Sequence, residues 1–387
     1  MKRQARVTAA TLLAATLLCG LAAQAAVHTV APGQSLAAAL RLATDGDEIH
    51  LLAGEHRAQV GVIEQKKLTL RGVGGRPVLH AAGASAEGKA ILVVRNGDVH
   101  IDNIEFRGAR VPDSNGAGIR FERGRLLVTR CAFIDNENGI LTANFADAEL
   151  TVQDSEFAQA PAGTQLPHLL YVGGIARVTL TGNRFSGGAE GHLVKSRARE
   201  HHVRYNQLVD GAGGRAAYEL EFPNGGLAFV VGNVIGQSAG TSNPALLSFG
   251  AEGSDGRPHA LHVVNNTFIN FGLRPAIFVR VHKDKLNGQV DQRLANNLFL
   301  GLGLPDAQLS DLLLGNYLAS PSVLQDAELG QFTLHPQSLL RGRGVDPGRA
   351  RSVDLRPAFE YAAPVGTHAL KPRSSWSPGA FQPQTQE

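Results

Sequence analysis

The sequence predicts an all-β chain folded as a right-handed parallel β-helix, with an N-terminal cap and an irregular C-terminal tail. Three observations predict it. Short apolar strands recur along most of the chain, each closing on a polar–Asn–x–apolar step: Gly182-Asn183-Arg184-Phe185, Tyr205-Asn206-Gln207-Leu208, Gly232-Asn233-Val234-Ile235, Asn265-Asn266-Thr267-Phe268 and Asn296-Asn297-Leu298-Phe299. The second-position asparagines lie 23, 27, 33 and 31 residues apart, a period that belongs to solenoids. Glycine is plentiful, 45 of 387 residues, roughly 12% against a usual ~7%, which argues for many turns and few long helices.

The elements follow in order. Lys2, Arg3 and Arg6 precede an apolar run from Val7 to Leu21 and an Ala23-Gln24-Ala25 step. This reads as a secretory signal over residues 1–25, removed on export to the periplasm or beyond, with no membrane insertion afterwards. Residues 26–335 are expected to form the β-helix with its cap. Thr29 to Leu36 leads into a short helix, Ala37 to Ala43, which would cover the first open coil. About ten coils fit between Leu68 and Asn316, stacked ~4.8 Å apart with apolar side chains lining a continuous interior. Earlier steps of the same kind are Asn103-Ile104-Glu105-Phe106, Arg130-Cys131-Ala132-Phe133 and Asp154-Ser155-Glu156-Phe157. Asparagine suits the bend because it tolerates left-handed backbone angles, and stacked amides can bond from coil to coil. Residues 336–387 hold seven of the 18 prolines, so this tail should wrap the stack instead of extending it.

Composition removes several classes of function. Without the first 25 residues, which contain three basic groups and no acid, the basic and acidic counts of 37 and 34 become equal. Nucleic-acid binders carry a clustered basic surplus, so none is expected as a partner. Only Cys131 remains after signal removal, and no intramolecular disulfide can form. Zinc spacings, phosphate loops and nucleophile elbows are absent, and there is no cofactor signature. A monomer is expected.

The densest polar stretch runs from Glu190 through His192, Lys195, Arg197 and Arg199, and the next coil contributes Tyr218-Glu219-Leu220-Glu221 and Asn224-Gly225-Gly226. If Leu193 and Leu220 both point inward, alternation turns His192 and Glu219 outward in adjacent coils. That register presents Arg120, Tyr171, His192, Lys195, Glu219 and Glu221 on one outer face, with His168 and Asn224 as further substrate contacts. β-Elimination on a uronate glycan needs a cation at the carboxylate, a base for the C5 proton and an acid for the departing oxygen. A lysine crowded by cations gives up its proton more readily, which makes Lys195 the candidate base. Arg197 and Arg120 would hold carboxylates through planar forks. His192 and Tyr171 are the candidate acids. Competing readings are plain: the cations form a solvated turn paired with Glu219 and Glu221, His168 and His192 are packed residues, and Asn224-Gly225, Asn115-Gly116 and Glu252-Gly253 are turns.

The opening segment and the Asn-x-apolar steps resemble secreted β-helix proteins of the pectate-lyase-like superfamily. Within that scaffold, Lys195-Ser196 followed by Arg204-Tyr205-Asn206 resembles a stretch of the alginate lyase and chondroitinase B family. The resemblance implies that Lys195 is the base and that Glu190 is one calcium ligand, calcium being the single cofactor it raises. Gly188 stands where the family has a second glutamate, and Glu221-Phe222-Pro223-Asn224 replaces its Arg-His-Gly segment. The expected function is a polysaccharide lyase acting on an acidic glycan. The alternatives are a non-catalytic glycan-binding or envelope protein, and a glycoside hydrolase using Glu219 and Glu221 across the separation such enzymes require.

Overall fold

The computed structural model of the chain describes residues 25–383, apart from 164, 166, 288, 308–310 and 312–313. All but the last residue of the segment expected as a signal lies outside them. The fold opens with a strand, Val27–Val30, and a helix, Leu36–Leu42, one residue earlier than the expected start. Ser35 caps this helix, its hydroxyl oxygen accepting the Ala38 N–H. At the other end Gln65 Nε2 donates to the carbonyls of Leu40 and Ala43 at 2.7 and 2.9 Å, satisfying groups that a helix terminus leaves open. Leu36 and Leu40 are buried over the first coil. Gly61 makes this possible, since a Cβ there would sit 2.3 Å from Leu40 Cδ1.

From there the chain repeats one circuit of three short strands, building three parallel sheets. We number them in the order in which a coil visits them. Among the described residues the first sheet has 11 strands, including Arg125–Thr129, Arg177–Thr181 and Glu200–Arg204; nine of them lie between Leu68 and Asn316, one coil fewer than the spacing predicted. The second also has 11, mostly three residues long, such as Glu105–Arg107 and Arg184–Ser186. The third has 10 and holds Ala117–Phe121, His168–Val172, His192–Ser196, Tyr218–Phe222 and Ala245–Phe249.

A two-residue corner joins the first sheet to the second, and here the expected asparagine ladder is present. Nδ2 of Asn183, Asn206, Asn233 and Asn266 each donates to Oδ1 of the next ladder asparagine at 3.0 Å, and Asn297 donates to Asn316 at 2.9 Å. Ser155 and Cys131 continue the column: the Ser155 N–H donates to Asn183 Oδ1, and the Cys131 N–H to Ser155 Oγ, both at 3.0 Å. The left-handed angle, however, falls on the residue before the ladder, namely Gly182, Tyr205, Gly232, Asn265 and Asn296. The ladder asparagine is selected by its amide, which closes a buried hydrogen-bond chain, and not by its backbone.

Behind the ladder, Phe106, Phe133, Phe157 and Phe185 stack with centroids 5.1, 4.6 and 4.7 Å apart. Each such ring contributes about 1.5–3 kcal/mol by burial, and the stacking adds about 0.5–1.5 kcal/mol per pair. Cys131 is buried at this corner, where desolvation pushes its thiol up to about 12.

The outward face of the first sheet changes character along its length. One column reads Lys67, Asp98, Arg125, Glu149, Arg177, Glu200, a strict alternation of sign fixed by the register. Arg125 meets Asp98 at 3.2 Å, and Arg177 meets Glu149 and Glu200 at 3.7 and 3.3 Å. The next members are Leu227 and Ala260, and here the C-terminal segment takes over. Leu355 is buried against Tyr205, Phe229, Val231, Val264 and Ala295. The Ala358 N–H donates to Tyr205 Oη at 3.0 Å, and Asn296 Nδ2 donates to the Val345 carbonyl at 2.7 Å. Among the described residues no helix is long and apolar enough to cross a membrane.

Candidate functional site

Strands of the third sheet do not alternate simply. The residues of Tyr218–Phe222 read outward, inward, inward, outward, inward, and neighbouring strands match. Leu193 and Leu220 both point inward as supposed, but the register pairs His192 with Tyr218, Val194 with Leu220 and Lys195 with Glu221, so His192 is level with Tyr218 and not with Glu219. Two outward columns result. One runs Arg120, Leu141, Tyr171, Lys195, Glu221, Ser248, Arg280. The other contains His168, His192 and Tyr218, whose rings follow one another at 4.7 and 4.9 Å between centroids. Loops leading from the third sheet back to the first add Arg197, Asn224 and Glu252 beside them.

These side chains form one continuous polar chain. Lys195 Nζ lies 3.3 Å from Glu221 Oε2 and 2.9 Å from Glu252 Oε1. Arg197 uses all three nitrogens: Nη2 meets Glu252 Oε2 at 2.6 Å, Nε donates to Tyr171 Oη at 2.8 Å, and Nη1 donates to Asn224 Oδ1 at 2.8 Å. Asn224 Nδ2 in turn donates to the Gly253 carbonyl at 3.2 Å. On the other side, His192 Nε2 lies 3.1 Å from Glu221 Oε2, an ion-pair contact without the alignment of a hydrogen bond. The His192 backbone N–H donates to His168 Nδ1 at 3.0 Å, which makes that nitrogen the acceptor in its 3.0 Å contact with His192 Nδ1.

Charge follows from this geometry. Burial holds His168 well below the ordinary imidazole range, and the cations of His192, Lys195 and Arg197 add to the effect. Burial alone would raise the Glu221 carboxyl, yet His192 and Lys195 outweigh it and hold the group below its ordinary value. Glu252 is also pushed up by burial and is pulled below its ordinary value by Lys195 and Arg197. The Arg197 guanidinium is held charged, because Tyr171 and Glu252 offset its desolvation.

The structure corrects the expected face in three places. Glu219 points into the solenoid, not onto the face. It is fully buried level with Leu193 and Leu246, and neither carboxylate oxygen has a hydrogen-bond partner among the described residues. Burial raises this carboxyl well above its ordinary value, with the charge of Asp210 adding to the rise. A Glu219–Glu221 pair across a substrate is therefore absent. Arg120 shares the column of Lys195 but three rungs away, roughly 14 Å at ~4.8 Å per rung, so it does not join the cluster. Lys195 sits between two carboxylates, where the sequence suggested a crowd of cations.

Glu190 does not fit a calcium site. It is exposed, its nearest charged partner is Arg215 at 3.8 Å, and no cluster of three or more metal-binding side chains occurs among the described residues. The turn at Asn224-Gly225-Gly226 is real, with left-handed glycines at 225 and 226, but Asn224 also orients Arg197. Glu252-Gly253 is likewise a turn. Its carboxylate is the site residue that sequence reasoning missed, because 57 residues separate it from Lys195. The available signal was positional: Arg197, Asn224 and Glu252 each follow the last strand residue of successive coils by one, two and three places.

No family model matches the chain, and no curated protein does. Solved structures do match. The crystal structure of pectate lyase Pel9A superposes with a TM-score of 0.62 at 13% sequence identity, over 92% of this chain and 96% of that one. The likeness is one of architecture: this chain shares the right-handed parallel β-helix fold of that structure.

Proposed function

We propose that the protein is an exported polysaccharide lyase that cleaves an acidic glycan by β-elimination on the outer face of the third sheet. The observation that carries this reading is the convergence of Lys195, Arg197, Tyr171 and His192 in one chain of contacts no longer than 3.3 Å. Arg197 is fixed at Nε and Nη1 by uncharged partners, and its Nη2, which meets the Glu252 carboxylate in this structure, is the nitrogen that would neutralise a sugar carboxylate. Lys195, one rung from Tyr171, takes the C5 proton as the neutral amine, its own ammonium proton having first passed to Glu221, 3.3 Å away. As the electron pair forms the C4–C5 double bond, the C4–O bond breaks and the departing oxygen is protonated. Tyr171 suits that last step, because its oxygen accepts from Arg197 and its own hydrogen is left to point at another acceptor. Export rests on the N-terminal segment.

A second reading has its own support. Lys195 engaged by both Glu221 and Glu252 is the arrangement of a binding cation, which favours a non-catalytic glycan-binding protein. The inward position of Glu219 removes the Glu219–Glu221 pair on which the glycoside hydrolase reading rested. The test is ultraviolet absorbance of the unsaturated sugar across a panel of uronate polysaccharides, with and without calcium, for the wild type, Lys195→Ala and Tyr171→Phe. The lyase reading expects a rise that falls at least a hundredfold in Lys195→Ala. A flat trace on every substrate, with glycan binding intact, selects the binding protein.

A further inference from the structure

We propose that Glu252 occupies the carboxylate subsite of this face, so that an acidic sugar binds by displacing a carboxylate of the protein's own. This rests on the reading of the face as a uronate-binding site. Three observations carry it. The Glu252 carboxylate is forked between the Lys195 ammonium at 2.9 Å and Arg197 Nη2 at 2.6 Å, the geometry that a sugar carboxylate would take between the same groups. The two cations are held from behind by groups that stay in place: Glu221 below Lys195, and Tyr171 and Asn224 on the other two nitrogens of Arg197. Glu252 is the exposed partner of the cluster, its side chain 42% accessible against 4% for Glu221.

The loop that carries it is anchored by its backbone. The Glu252 N–H donates to the Pro223 carbonyl at 2.8 Å, and Arg257 Nη1 donates to the carbonyls of Arg197 and Ala198 at 3.0 and 2.8 Å. Only the Glu252 side chain has to swing out, a rotamer change and not a loop opening. Displacement exchanges one carboxylate for another, so Lys195 and Arg197 are never left without a counter-charge. A neutral sugar offers no such exchange and is rejected, because its arrival would leave the Arg197 guanidinium without a counter-charge and Lys195 with only Glu221. Glu252 thereby sets both the charge class of the ligand and the threshold for its binding.

The experiment is calorimetric titration of the purified protein with a galacturonate hexamer and a mannuronate hexamer, each beside its carboxyl-reduced counterpart. Glu252→Gln and Glu252→Ala are compared with the wild type. If the carboxylate fills the subsite nine-tenths of the time, its removal tightens the apparent Kd on the order of tenfold. The expected result is that gain for at least one charged hexamer in both variants, and none for the reduced sugars. Unchanged or weaker binding of both hexamers, with both variants folded by circular dichroism, overturns the proposal. The binding readout separates this idea from catalysis. A gain in affinity without any unsaturated product keeps Glu252 as the occupant and removes the lyase. Elimination by the wild type with no gain in either variant keeps the lyase and removes the occupant.

Discussion

Replacing Glu219 by leucine is expected to stabilise the protein at neutral pH, and by more at pH 7.5 than at pH 5. Glu219 is buried level with Leu193 and Leu246 and its oxygens have no hydrogen-bond partner among the described residues, so burial holds its carboxyl well above the ordinary range in the native state. In the unfolded chain the same carboxyl ionises near ~4.3. Between those two points the unfolded state has lost a proton that the folded state retains, and stability must fall as pH rises. The slope is about 1.4 kcal/mol per pH unit, beginning above ~4.3 and ending where the folded carboxyl ionises. Leucine has no proton to lose, so the gap between variant and wild type should widen at that rate. In a chain of this length that corresponds to roughly 2 °C in Tm per pH unit. Below ~4.3 a smaller constant gap remains, since the two unpartnered oxygens cost about 1–3 kcal/mol each even when the group is neutral. Urea midpoints and thermal melts from pH 4 to pH 8 provide the measurement, with Glu219→Gln as a polar control whose profile should lack the wild-type slope. Parallel curves for wild type and Glu219→Leu would refute the reasoning, because they would mean that Glu219 is ionised or solvated in the folded state.

Other consequences can be checked alongside. Asn233→Leu removes both the acceptor of the Asn206 amide and the donor to the Val203 carbonyl; stranding those buried groups should cost about 3 kcal/mol in urea unfolding, whereas Asn316→Leu at the half-buried end of the ladder should cost less than half as much. Arg197→Lys keeps the charge but cannot reach Glu252, Tyr171 and Asn224 together, and kcat/KM on the best uronate substrate should drop at least tenfold. Glu221 is held below its ordinary value by His192 and Lys195, so the stability it contributes is present above ~4.3 and is lost only as pH falls through a lower point; carbonyl chemical shifts followed down to pH 3 should find it taking up its proton after the exposed glutamates.

Much of the architecture was legible because its causes are local. The Asn-x-apolar step encodes a corner and a ladder within four residues, and five such steps placed the coils. The site was legible only in part. Tyr171, Lys195 and Glu221 do share a column, as outward placement at equivalent strand positions required. Glu219 was misplaced because two consecutive inward residues break the period of two, and the sequence carries no mark of that break beyond apolar residues at both neighbouring positions. Arg120 has the right column and the wrong height, a distance that coil counting supplies only once the register is known. Glu252 reaches Lys195 across two coils from a turn whose glycines advertise backbone alone.

The alternating column on the first sheet gives the solenoid a parity. Because Lys67, Asp98, Arg125, Glu149, Arg177 and Glu200 change sign at every rung, losing or duplicating one coil there would set two like charges face to face, while a change of two coils would restore the pattern. Each contact contributes only about 0–1 kcal/mol, and like charges directly opposite cost a similar amount. The sum runs over a cylinder whose apolar filling is otherwise indifferent to which coil follows which. Growth or shrinkage of this part of the molecule over evolution is thus favoured in pairs of coils, and a chain that skips a coil while folding meets repulsion on its surface before its core can register the error.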